Sequence, residues 1–155
     1  MNTEPLENTS NELLTNLISQ WLEERRLLLA QYGNLANIAP FSAQNTMHRE
    51  LLRVFCQSMV DYLSRVHFEV FEKLYQLETF VSQLTSKSRL EELTKRVEFT
   101  TDHFLDFNDK YLATDDLAAL SSDLSILGEE LAKRFEIEDE VIATIRQAID
   151  MSGED

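Results

Sequence analysis

Residues 89–111, RLEELTKRVEFTTDHFLDFNDKY, decide the fold class. Leu90, Leu93, Val97, Thr100, Phe104, Phe107 and Tyr111 recur three and four apart without a miss. That spacing places one stripe of side chains along one face of an α-helix. Neither Gly nor Pro interrupts it, and no other part of the chain alternates apolar and polar residues for long enough to read as a strand.

Toward the C-terminus, Thr114, Asp115 and Asp116 mark a connection. Leu117, Leu120, Leu124, Leu127 and Leu131 then keep the same rhythm in a helix expected from Asp116 to about Ile149. Asp115 and Asp116 stand at its start, where the helix dipole favours negative charge. Toward the N-terminus, residues 86–88 mark another connection, preceded by a helical segment over 47–84. As one straight rod it would be over ~50 Å long, too long for a compact domain of this size. A bend or break is therefore expected between Ser64, which can cap a following helix, and His67, which sits awkwardly in the apolar rhythm. Leu52, Phe55, Met59 and Leu63 form the stripe before it; Val70, Phe71, Leu74, Leu77 and Val81 form the stripe after it. Gly33, Pro40 and the polar run 42–46 mark the remaining connection. The first helix is expected to begin after Thr9, whose hydroxyl and the Glu12 carboxylate fit a capping box. It carries Leu14, Ile18, Trp21, Leu28 and Tyr32 and is expected to stop at Gly33. The expected fold is all-α: an antiparallel up-and-down bundle of four main helical stretches, one bent or broken near Ser64 and His67. It is expected to form a single domain over 1–155, with 1–8 and 151–155 as loose tails.

Composition narrows the function. The chain has 155 residues, of which 28 are acidic and 14 basic, for a net charge of −14. Such a charge repels phosphate backbones and disfavours direct nucleic-acid binding; it suits a basic protein partner, or solubility alone. Residues 115–155 concentrate it, with twelve acids against three bases. At 43% apolar residues the chain can build a core. The lone Cys56 excludes an intrachain disulfide and a cysteine-based zinc site. No apolar run approaches the ~18 residues of a membrane span, and the polar first ten residues do not resemble a signal peptide. A soluble, cytoplasmic protein is the expectation.

The helical rhythm fails at informative places. Stepping by three and four from Leu131 lands on Arg134 and Glu138 before Val141 and Ile145 resume, and Arg25 falls between Trp21 and Leu28. Asp61 and His67 lie close to the apolar side of the bent segment. A buried charge costs several kcal/mol unless paired. Two readings stand: these five residues form a polar inlay inside the bundle, or the helix phase slips by one residue and each stays outside, with Phe135 taking the place of Arg134. Catalytic patterns are absent. No Glu-x-x-His pair, no pair of His at ligand spacing, no nucleophile elbow and no P-loop occur. Cys56 and His67 are eleven residues apart, about 16 Å along a helix. No catalytic role, metal or cofactor is expected.

Residues 54–74, VFCQSMVDYLSRVHFEVFEKL, resemble the signature region of the Rsd/AlgQ family, bacterial regulators of the primary sigma factor. QWLEER at 20–25 and GEELAKRFEIEDEVI at 128–142 extend the resemblance, in order and at compatible spacing, over roughly residues 12–145. The resemblance implies a non-enzymatic anti-sigma factor, a helical bundle that binds the primary sigma factor of RNA polymerase. Binding would fall chiefly on the C-terminal domain that reads the −35 element, withholding the factor from core enzyme in favour of alternative sigma factors. A monomer in a 1:1 complex is expected, because the apolar stripes can all be used internally, and charge and hydropathy argue against direct nucleic-acid or membrane contact. The residues the resemblance points to are Asp61 and Glu72 for charge-assisted bonds, Phe68 and Phe71 as apolar anchors unless they pack in the core, and Ser64 and His67 as shapers of the break. Arg65 and Val66 stand where relatives often carry Ala-Gly. The competing readings are a metal- or small-ligand-binding bundle built on the inlay, and an adaptor for another bacterial regulatory protein.

Overall fold

A computed structural model describes residues 4–73 and 87–152. Four long helices account for most of them: α1 (Glu4–Ala36), α2 (Thr46–Arg65), α3 (Lys87–Ala113) and α4 (Leu120–Ser152), with a π-helical segment, Val66–Phe71, continuing α2. Among the described residues there is no strand. Each helix packs on two others, in the ring α1–α2–α3–α4. Contacts run in opposite directions along every adjacent pair. Tyr32 meets Phe55 while Trp21 meets Phe71. Tyr111 bonds Asp123 while Arg96 pairs with Glu140. Tyr32 bonds the Leu124 carbonyl while Arg25 reaches Asp139. The bundle is therefore antiparallel and up-and-down, as short connections between helices favour.

The α3 stripe behaves as its spacing predicts: Leu93, Val97, Thr100, Phe104, Phe107 and Tyr111 are buried and Leu90 is half-buried. So do Leu117, Leu120, Leu124, Leu127 and Leu131, and in α1 Leu14, Ile18, Trp21 and Leu28. Burying each large apolar side chain stabilises the fold by about 1.5–3 kcal/mol. Aromatic edges knit the layers, with Phe55 against Phe107 at 6.4 Å and Tyr62 against Phe135 at 6.1 Å.

The helix ends differ from expectation. α1 starts at Glu4, so residues 4–8 are helical and the Thr9 box does not mark the start. Gly33 does not stop α1; it keeps a negative φ and its carbonyl accepts from the Asn37 amide at 3.1 Å. α4 starts at Leu120 rather than Asp116, because Asp116 instead closes a local turn by accepting from the Ala118 amide at 2.9 Å. The cap of α2 is Asn45, whose side chain accepts from the amides of Met47 and His48. Residues 151 and 152 continue α4; 1–3 and 153–155 lie outside the described residues.

At Ser64 and His67 the backbone changes winding and does not break. Arg65 and Val66 keep right-handed helical angles, and the wider π period carries the buried face from Val66 to Val70 and Phe71. Ser64 therefore caps no new helix. Leu74, Leu77 and Val81 lie outside the described residues.

Candidate functional site

Glu138 on α4 is fully buried, and its carboxylate collects donors from three helices. Tyr62 Oη of α2 donates to its Oε1 at 2.5 Å, and Trp21 Nε1 of α1 is shared between that oxygen at 3.2 Å and Tyr62 Oη at 2.9 Å. Arg134, one helical turn earlier on α4, donates Nε to its Oε2 at 2.8 Å. Arg134 Nη1 turns to α3 and meets the Val97 carbonyl at 3.2 Å, Thr100 Oγ1 at 3.1 Å and Thr101 Oγ1 at 3.0 Å. Arg25 Nη1 lies 3.6 Å from Glu138, its Nη2 pairs with Asp139 at 2.8 Å, and its guanidinium sits over the Phe135 ring at 5.1 Å. Burial, then the neighbouring carboxylate, push the Tyr62 hydroxyl far above its ordinary pKa, so it remains a donor to Glu138. One polar network thus ties all four helices.

Of the five residues read as an inlay, the structure brings together Arg25, Arg134 and Glu138. It leaves Asp61 and His67 exposed, Asp61 accepting from Gln57 one turn earlier at 3.0 Å. The phase does not slip: Arg134 and Glu138 are themselves buried, and Phe135 is buried beside them. The polar ends of Trp21 and Tyr62, and the hydroxyls of Thr100 and Thr101, complete the network. The sequence signal for the hydroxyls is a pair of Thr on the inner face of α3; Trp21 and Tyr62 give none, since apolar rings also fill a core. Two guanidiniums surround Glu138, and each of its carboxylate oxygens already accepts a donor, an environment built to hold a carboxylate against cationic side chains. Among the described residues no cluster of His, Cys, Asp and Glu suits a metal. Burial raises the Cys56 thiol to about 11, so little thiolate forms near neutral pH.

The outer face of α2 and the π segment presents Asp61, Ser64, His67, Phe68 and Glu72, all exposed. Phe68 is 60% exposed and its ring meets the edge of His67 at 4.9 Å. Phe71 is different: it is 2% exposed and packs edge-on to Trp21 at 6.5 Å, so it anchors the core and not a partner. Arg65 reaches across to Glu24 on α1, which explains how an Arg is accommodated beside Val66 at the winding change.

Ser64, His67 and Phe68 line one wall of a groove of about 300 Å³ between this segment and α3. Glu98, Asp102 and Leu105 of α3 form the other, and Arg134 lies at the floor. Sequence spacing missed Glu98 and Asp102, because their position opposite α2 is set only by packing. The groove therefore has an acidic, partly apolar rim over a cationic floor.

The sequence profile described as "Regulator of RNA polymerase sigma(70) subunit, Rsd/AlgQ" matches residues 5–146, nearly the whole bundle. The chain belongs to the Rsd/AlgQ family. Three of its relatives carry the name Regulator of sigma D. That of Pectobacterium carotovorum subsp. carotovorum (strain PC1) is 37% identical over 135 residues, covering 83% of this chain and 87% of its own. That of Shigella dysenteriae serotype 1 (strain Sd197) is 35% identical over 138 residues, covering 85% of each chain. That of Escherichia coli (strain K12 / DH10B) is 33% identical over 137 residues, again covering 85% of each. All three segments that carry the Rsd/AlgQ resemblance lie within the matched region, and so do the buried network and both walls of the groove.

Proposed function

We propose that this chain is an anti-sigma factor acting in the cytoplasm without catalysis. It binds the primary sigma factor of RNA polymerase, mainly through the C-terminal domain that reads the −35 element, and withholds it from core enzyme so that alternative sigma factors gain access. The observation that carries the reading is the family match across 5–146, on a chain whose relatives are named for regulating a sigma factor. The physics supports it. A domain that meets DNA phosphates presents a basic surface, and a chain of net charge −14 attracts that surface while repelling DNA itself. Within the chain, the exposed Asp61, Ser64, His67, Phe68 and Glu72 supply the contact face, with charges orienting the partner and the aromatic anchoring it. The complex is 1:1 with a monomer, because the described stripes of α1, α3 and α4 face inward. Among the described residues no helix is long and apolar enough to cross a membrane.

The test is calorimetric titration of the full chain with the isolated C-terminal domain of the primary sigma factor, repeated with promoter DNA as competitor. A saturable 1:1 complex that DNA displaces is expected, with Asp61→Lys weakening it by roughly tenfold or more, the size of a close charge reversal. Absence of a complex at low salt overturns the reading.

A further inference from the structure

Arg134 is nearly out of water, with its side chain 2% exposed, yet one of its nitrogens has no partner among the described residues. Nε is used by Glu138, and Nη1 by Val97, Thr100 and Thr101. Nη2 makes no hydrogen bond among the described residues. The residue lines the groove between the π segment and α3. A fixed, charged side chain with one nitrogen unused among the described residues thus lines a cleft. Such a donor is under-used until an acceptor arrives.

The rim decides which acceptor. Glu98 and Asp102 flank the cleft, are exposed, and make no ion pair or side-chain hydrogen bond among the described residues. A free anion approaching Arg134 must pass these two carboxylates. A neutral carbonyl is not repelled, and the last turn of a helix offers several unpaired carbonyls together with the negative end of its dipole. Lys and Arg are favoured in that same turn, and they would meet Glu98 and Asp102 while apolar side chains cover Phe68 and Leu105. We propose that the groove receives the carboxyl-terminal turn of a helix from the basic partner, with Arg134 Nη2 donating to its free carbonyls and Glu98 and Asp102 pairing with its basic side chains. This rests on the anti-sigma reading, and it assigns Arg134 a recognition role in addition to its place in the core network.

The experiment follows the side-chain nitrogen and Cζ resonances of Arg134 in the labelled full chain during titration with the isolated C-terminal sigma domain. Resonances that shift and saturate with the complex are expected. Arg134→Lys, which keeps a cation near Glu138 but loses the fork, is expected to bind roughly tenfold more weakly. The exposed Glu98→Lys and Asp102→Lys variants, which cannot unfold the core, are expected to weaken binding by a similar factor. A complex that forms while the Arg134 resonances stay still overturns this inference and leaves the anti-sigma reading intact, as does unchanged affinity in both rim variants. Absence of any complex with the unaltered chain overturns the anti-sigma reading itself. Inorganic phosphate is the control: a saturable shift of Arg134 by phosphate alone makes the floor an anion site and overturns the assignment to a helix end. Should Arg134→Lys fail to fold, the resonances of the unaltered chain and the two rim variants still decide the matter.

Discussion

Phe68 and Phe71 stand three residues apart in one motif and face opposite ways. Phe68 is 60% exposed and Phe71 2%. Phe71→Ala should therefore cost about 3–5 kcal/mol of stability through lost burial and a cavity beside Trp21. Phe68→Ala should leave stability within about 0.5 kcal/mol and instead weaken the sigma complex about tenfold or more. Urea unfolding beside calorimetry separates the two effects, and equal melting of both variants would contradict the packing. Glu138 is the other decisive residue. Glu138→Gln keeps the shape but leaves the Arg134 guanidinium, and the Arg25 guanidinium beside it, short of a buried countercharge. A loss of about 3–5 kcal/mol is expected in the same unfolding assay. The network bonds α3 to α4 through Arg134 and α1 to α2 through Trp21 and Tyr62.

At the scale of elements, one close approach and one change of winding shape the bundle. In α4, Gly128 lets the Tyr32 ring of α1 lie against the helix, where the Tyr32 hydroxyl donates to the Leu124 carbonyl at 2.7 Å. A Cβ at Gly128 would collide with that hydroxyl. Gly128→Ala should therefore cost about 1–3 kcal/mol despite the higher helix propensity of Ala, and Gly128→Ala combined with Tyr32→Phe should recover part of it. An alanine variant as stable as the parent in thermal melting would show that the two helices do not meet as described. The second element is the π segment. Its extra width per turn keeps Val66, Val70 and Phe71 inward while Phe68 and Glu69 stay outside, so the same winding that completes the core also sets the groove wall.

For the molecule as a whole, charge acts with opposite signs on folding and on binding. With a net charge of −14, the folded chain repels itself, and salt relieves that repulsion. The attraction to a basic partner is screened by the same ions. Raising sodium chloride from about 50 mM to about 500 mM, which shortens the screening length several-fold, should raise the melting temperature while weakening the sigma complex. Salt that strengthened the complex would mean that apolar contact, and not complementary charge, governs it. The groove sits on the seam between α2 and α3, so partner binding bears on two helices that the buried network already holds in register.

The sequence by itself determined the helical class, the stripes of α3 and α4, and the places where the stripe is interrupted, because a 3.6-residue period is a local property of the chain. It also contained the family motif, since that is a matter of residue identity and order. It located the change of winding but not its kind, because a π turn differs from a capped break only in which backbone groups pair. Helix ends differ from the signals at Gly33 and Asp116 because burial of Leu35 carries α1 past its stop signal, while the Asp116 carboxylate draws the start of α4 into a local turn. Which polar residues are enclosed was decided only by the tertiary structure. Arg134 and Glu138 meet the hydroxyls and rings of three other helices and stay inside. Asp61 and His67, at equally suspicious positions, stay exposed, because the neighbouring Tyr62, Leu63 and Val66 take the buried face.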